Sequence, residues 1–167
     1  MKTKRLVRAS IIACIYVVVC LLTAQYASGP VQVRISESLT MLSIFSIEYI
    51  IGVTVGCFLS NMLTSAPIDM VVGTIATLIS AILTYRLRNI RTKKLALIPS
   101  IPPVVINAVV IGIELTLLYF PKDVALSVWL MNILSVGVGQ FISCTVLGVL
   151  LVYVIERNPS MIKLIKE

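Results

Sequence analysis

The chain has 167 residues, of which 59% are hydrophobic and 13% are charged, and its mean hydropathy is +1.06. Soluble domains are nearer 45–50% apolar and about 25% charged, so this composition excludes an ordinary soluble domain. We therefore expect a single membrane domain over 1–167. The net charge of +7 would suit nucleic acid, but the position of the basic residues argues against that partner.

Twelve of the fourteen basic residues lie in three short clusters, at 2–8, 86–94 and 157–166, and each cluster flanks an apolar run. Basic residues collect in the cytoplasmic loops of membrane proteins. The pattern predicts that both termini and the 86–94 loop are cytoplasmic, and that these charges meet anionic lipid headgroups. Residues 1–28 resemble a signal peptide, but further spans follow, so we expect this first helix to be retained.

The apolar runs predict an all-α integral membrane protein with six transmembrane helices. The interval 37–64 must begin and end on the outer side, yet its 28 residues cannot make two full crossings of about 20 residues each. We expect a short helix, a turn near 46–48 and a longer helix. The predicted helices cover about 6–25, 37–46, 49–63, 68–86, 98–119 and 125–155.

An enzyme is difficult to build from these residues. The chain has no His, its four cysteines form no CxxC pair, and it carries no Walker motif or nucleophile elbow. We expect no metal, no cofactor and no ATPase activity, so energy for any uptake would come from a partner.

A polar stretch between two apolar runs, GPVQVRISESLT at 29–40, contains Gln32, Arg34 and Glu37. Two more acidic residues lie in predicted helices: Asp69 begins the fourth helix, and Glu114 lies inside the fifth. Ionisable residues in membrane segments are candidates for functional sites. The simpler alternatives are an ion pair between Glu37 and Arg34, and helix capping by Asp69; Glu114 has no local cation, and lies roughly 9 Å below the outer end of its helix.

Neutral polar and aromatic residues add to this set. Asn107 shares a helix face with Glu114, Gln140 shares one with Trp129, and Asn61 ends the third helix near the outer side. Each could simply bond to a neighbouring helix. Their number favours a cavity that opens outward.

Small residues four apart, Ala9 and Ala13, lie on one face of the first helix and would let another helix approach closely. That helix could belong to a partner or to this chain. Gly52 and Gly56 give the third helix the same property.

Five stretches, in order along most of the chain, resemble the QueT family, the substrate-binding (S) components of energy-coupling-factor (ECF) transporters. The first and third are the more specific. The stretches are GPVQVRISESLT at 29–40, GCFLSNMLT at 56–64, PIDMVVGTIATL at 67–78, PPVVINAVVIGIEL at 102–115 and SVGVGQFISCTVLG at 135–148.

The resemblance implies uptake of a queuosine precursor, queuine or 7-aminomethyl-7-deazaguanine, by a subunit that binds solute and then docks on a transmembrane coupling protein and two ATPases. It implies that Ala9 and Ala13 form the docking surface. A carboxylate suits the donor pair of the base edge and a second suits the amine, so Glu37 and Glu114 could divide these roles. Trp129 could stack on the base.

One position departs from the family, in which an acid commonly follows the VG-x-G glycines of the sixth helix. Here that residue is Gln140. An amide would weaken recognition of a cation, so we hypothesise a preference shifted toward queuine or a nucleoside. Two other interpretations stay open: an S component for a different vitamin or base, and a membrane scaffold that transports nothing.

Overall fold

The computed structural model describes residues 2–27, 32–121 and 123–166, and these residues form helices joined by turns and loops, without any strand. The first part of the 29–40 stretch therefore lies outside the described residues. The helices are α1 (Lys2–Leu22), α2 (Ala24–Ala27), a 3₁₀ helix (Ile35–Ile44), α3 (Ile47–Thr64), α4 (Pro67–Arg86), a 3₁₀ turn (Ile98–Ser100), α5 (Ile101–Tyr119), α6 (Leu126–Gln140), a π-helical segment (Phe141–Gly148), α7 (Val149–Arg157) and α8 (Pro159–Lys166).

Five helices in the described part of the chain are long and apolar enough to cross a membrane. Four of them contain α1, α3, α4 and α5, and the fifth is the continuous rod Leu126–Arg157, formed by α6, the π segment and α7. The protein is therefore a multi-pass membrane protein by length and composition. The predicted second helix does not meet this criterion, because it is only ten residues long.

The basic segments meet at one end of the helix bundle, which we call the basic end. Arg5 near the start of α1 pairs with Glu48 at the start of α3, with 3.0 Å between nitrogen and oxygen. Arg91 in the loop after α4 pairs with Glu156 at the end of α7, at 2.7 Å. The start of α3, the end of α7 and α8 also share one apolar cluster. A cavity, described below, opens at the opposite end of the bundle, which we call the cavity end.

The 3₁₀ helix Ile35–Ile44 passes from the cavity end to the basic end, and eight of its ten residues are buried. At about 2.0 Å per residue it covers roughly 20 Å, and its narrow radius suits a position enclosed by other helices. Its closest neighbour is the π segment: a methyl group at Gly148 would lie 2.5 Å from Met41. Only a residue without a side chain lets the two helices approach so closely.

Helix α1 packs on α3 through the small residues of both helices, which corrects the expected placement of Ala9 and Ala13. The two alanines are only 7% and 6% exposed. A methyl group at Gly52 would lie 2.7 Å from the carbonyl oxygen of Ala9, and one at Gly56 would lie 3.1 Å from that of Ala13. The pair therefore serves packing within the chain, because each small residue fits against a glycine of α3. The opposite face of α1 is uncovered.

Candidate functional site

A cavity of about 460 Å³ opens at the cavity end, between the end of α1, the residues before the 3₁₀ helix, the α3–α4 turn, α5 and α6. This volume lies within the range of small-molecule sites. Five of the residues singled out in the sequence line it: Gln32, Arg34, Asn61, Asp69 and Glu114.

Arg34 forms an ion pair with Asp69, at 3.1 Å between Nη2 and Oδ2. The alternative of an ion pair between Arg34 and Glu37 is therefore wrong, and so is helix capping by Asp69, whose side chain makes no capping hydrogen bond to α4. Burial lowers the pKa of Arg34, but Asp69 and the neighbouring acidic groups raise it by more, so the net shift is upward and the guanidinium stays charged. The pair fastens the segment before the 3₁₀ helix to the start of α4.

The remaining polar groups of Asp69 are also placed at the cavity. Its backbone carbonyl accepts a hydrogen bond from Asn61 Nδ2 at 3.2 Å, whereas its Oδ1 is buried and has no partner within the described residues. Gly73 keeps this region open, since a methyl group there would lie 2.8 Å from Asn61 Nδ2 and 3.0 Å from Asp69 Oδ1.

Glu114 lies one to two turns before the end of α5 and is 7% exposed. Neither of its carboxylate oxygens has a hydrogen-bond partner among the residues that the structure describes. The charged residues Asp69 and Arg34 line the same cavity. A buried carboxylate without donors is costly unless a ligand or water supplies them.

The sequence reasoning missed several lining residues. Asn132 of α6 lines the cavity, and its Nδ2 donates a hydrogen bond to Thr116 Oγ1 at 2.9 Å. This bond fixes the orientation of the Asn132 amide. Tyr119 and Phe120 at the end of α5 also line it. A polar amide within an apolar run could have identified Asn132 as a candidate site residue. Whether Asn132 reaches the cavity depends on how α6 packs against α5, which the sequence does not show.

Glu37 lies behind the cavity rather than on its lip. Its side chain is 2% exposed, and it accepts hydrogen bonds from Tyr16 at 2.5 Å, Thr77 at 3.3 Å and Thr40 at 3.2 Å. These donors come from α1, α4 and the 3₁₀ helix itself. Glu37 is therefore a satisfied carboxylate that joins three elements, and it is absent from the cavity lining.

The other three predicted site residues also lie outside the lining. Asn107 precedes Glu114 by two turns of α5, about 10.5 Å deeper along the axis, and is buried. Gln140 is buried as well, and its Oε1 accepts a weak bond from the Cys144 thiol at 3.4 Å. Trp129 is half-buried near the start of α6. A preference set by direct contact with Gln140 therefore has no support in this geometry.

No three His, Cys, Asp or Glu side chains in the described ranges approach closely enough to hold a metal ion. The cavity instead presents carboxylate, amide and guanidinium groups. These groups can bind a small polar solute by hydrogen bonds and charge.

Comparison with known proteins agrees with the resemblance of the motifs. Residues 6–157 match the sequence model of the family described as QueT transporter. A curated relative, the Queuosine precursor transporter QueT of Lactococcus lactis subsp. cremoris (strain MG1363), is 39% identical over 80 residues. That match covers 47% of this chain and 47% of the relative, so the chain spans about half the length of this relative. No solved structure matches. Because the family match extends over most of the sequence, the chain belongs to the QueT transporter family.

Proposed function

We propose that this protein is the solute-binding S component of an ECF-type importer and that its solute is a queuosine precursor with a 7-deazaguanine base. The observation that carries the proposal is the cavity lined by Glu114, whose two carboxylate oxygens lack partners in the described structure. Family membership and the printed function of the relative support this solute class.

In the proposed orientation the basic end faces the cytoplasm and the cavity faces outward in a prokaryotic plasma membrane. Basic loops on the cytoplasmic side support this direction. The 3₁₀ helix Ile35–Ile44 serves as the sixth crossing, since it passes between the two ends of the bundle although it is short. Both termini then lie in the cytoplasm, in agreement with the six-helix topology expected from the sequence.

The proposed solute contacts are the five predicted residues that line the cavity, together with Asn132. Carboxylate oxygens suit the ring N–H and amine groups of the solute, and amide groups suit its carbonyl. Tyr119 and Phe120 take the stacking role that the sequence assigned to Trp129, because planar bases pack well on aromatic rings. Glu37 joins three helices behind the cavity, whereas Asn107 and Gln140 are buried outside its lining.

Docking on the transmembrane coupling protein and its two ATPases is proposed for the uncovered face of α1. This helix is the least enclosed of the candidate spans, with 17% of its apolar window buried against 33–44% in the others. Ser10 and Cys14 are exposed on it four residues apart, beside exposed Ile11 and Ile15. Small residues at this spacing allow close approach of a partner helix, so the docking role moves to the face opposite Ala9 and Ala13.

Ligand-induced stabilisation of the detergent-purified protein tests the proposal. A site with a Kd of about 10 nM and about 1 µM free 7-aminomethyl-7-deazaguanine should add about 2.7 kcal/mol to the free energy of unfolding. Guanine, riboflavin and thiamine serve as comparison solutes. Stabilisation by one of these alone would favour an S component for another solute. No stabilisation by any of them would favour a scaffold that transports nothing.

A further inference from the structure

The charges around the cavity do not balance. Arg34, Asp69 and Glu114 are the charged residues that line it in the described part of the chain. Arg34 and Asp69 neutralise each other in an ion pair at 3.1 Å. Glu114 is left as one acidic group with no cation partner and no donor on either oxygen in the described ranges.

Among the described residues, no other basic side chain lines the cavity. Arg34 already shares its positive charge with Asp69, while Arg5 and Arg91 pair with acids at the basic end. A carboxylate enclosed by apolar helices is stabilised strongly by a matching cation, because the surrounding medium screens little. A positively charged solute therefore supplies the partner that Glu114 lacks among the described residues, whereas a neutral solute does not.

Resting on the proposed function, we propose that Glu114 pairs with the cationic amine of the solute, so that the site selects precursors with a protonated side-chain amine and rejects neutral 7-deazaguanines. Queuine and 7-aminomethyl-7-deazaguanine each carry such an amine. The 7-cyano analogue has the same base with a neutral nitrile.

The base edge is the other group that Glu114 could accept. Its ring N–H and exocyclic amine are neutral donors, so pairing with them would satisfy both oxygens but leave the net charge of the cavity uncompensated. The unpaired Oδ1 of Asp69 and the amides of Asn61 and Asn132 remain for the base. These groups can form hydrogen bonds with the neutral base edge, and they add no net charge because Asp69 is paired with Arg34.

The test is isothermal titration of the purified protein with 7-aminomethyl-7-deazaguanine and with 7-cyano-7-deazaguanine. We expect the wild type to bind the amine at least about tenfold more tightly than the nitrile, since a charge-assisted bond is lost in the nitrile. In Glu114→Gln we expect the affinity for the amine to fall about 10- to 100-fold, while the affinity for the nitrile changes less than about threefold. Glu156→Gln removes the same charge at the basic end and should keep the preference of the wild type.

Three outcomes separate the possibilities. Equal losses for both solutes in Glu114→Gln would overturn the inference and assign Glu114 to the base edge. Equal affinities of the wild type for amine and nitrile would overturn it without any variant, so the test does not depend on the folding of Glu114→Gln. Binding of neither solute by the wild type would overturn the proposed function, and the inference with it.

Discussion

The substitution Gly139→Ala should displace the segment that closes the cavity. A methyl group at Gly139 would lie 2.0 Å from the carbonyl oxygen of Gln32 and 2.6 Å from its carbonyl carbon. Close carbon–oxygen contacts in proteins lie near 3.3 Å, so the backbone at Gln32 must retreat by more than about 1 Å. Arg34 follows two residues later and holds Asp69 at 3.1 Å, so the same retreat weakens this ion pair.

We expect the overpacking to lower the free energy of unfolding by about 1–3 kcal/mol and the affinity for 7-aminomethyl-7-deazaguanine to fall at least about tenfold. Titration calorimetry and thermal unfolding of the purified variant measure both. The matched control is Gly137→Ala on the same helix, where the new methyl group would meet only Ala108 Cβ at an ordinary 3.4 Å. Both variants gain the same helix propensity. Equal affinities of the two variants would refute the reasoning.

Three further substitutions test other parts of the account. Gly52→Ala brings a methyl group to 2.7 Å from a backbone oxygen of α1, so we expect a loss of about 1–3 kcal/mol in thermal unfolding; an unchanged melting temperature would contradict the α1–α3 packing. Tyr16→Phe removes a donor from buried Glu37 and should cost about 1.5–3 kcal/mol, more than Tyr49→Phe, whose hydroxyl donates to a neutral carbonyl; the reverse order would count against the Glu37 network. Ser10→Leu should reduce coupled uptake in cells while solute affinity in detergent stays unchanged, whereas normal uptake would exclude this face of α1 from docking.

The helical class of the protein could be read from composition, because long apolar runs leave few alternatives in a membrane. The short element before α3 followed from a length argument: the residues between two outer positions were too few for two ordinary crossings. Its 3₁₀ form could not be foreseen. Apolar spacing does not distinguish a 3₁₀ helix from an α-helix when nearly every residue is buried, as in Ile35–Ile44.

The pairing of charges shows where local spacing stops being informative. Glu37 lies three residues after Arg34, which made them natural partners, but the 3₁₀ helix turns Glu37 toward Tyr16 while Arg34 meets Asp69, 35 residues away. Only the tertiary fold decides between these partners. Glu114 was different, since the absence of a nearby cation in the sequence agrees with its unpaired oxygens in the described structure.

The sequence also could not show how deep along its helix each candidate residue lies. A shared face relates Asn107 to Glu114 and Gln140 to Trp129, but it does not say which member reaches a cavity at one end. Glu114 lines the cavity but Asn107 does not, and neither Gln140 nor Trp129 lines it. The alanines of α1 illustrate the same point, because spacing identified a close helix contact but not whether the neighbour was α3 or a partner.

The most direct test of the central claim is an experimental structure of the protein with bound 7-aminomethyl-7-deazaguanine. The account predicts one solute molecule in the cavity between the segment at Gln32 and Arg34, α4, α5 and α6, with its amine within hydrogen-bond distance of the Glu114 carboxylate. A solute bound elsewhere, or bound in this cavity with its amine away from the Glu114 carboxylate, would contradict it.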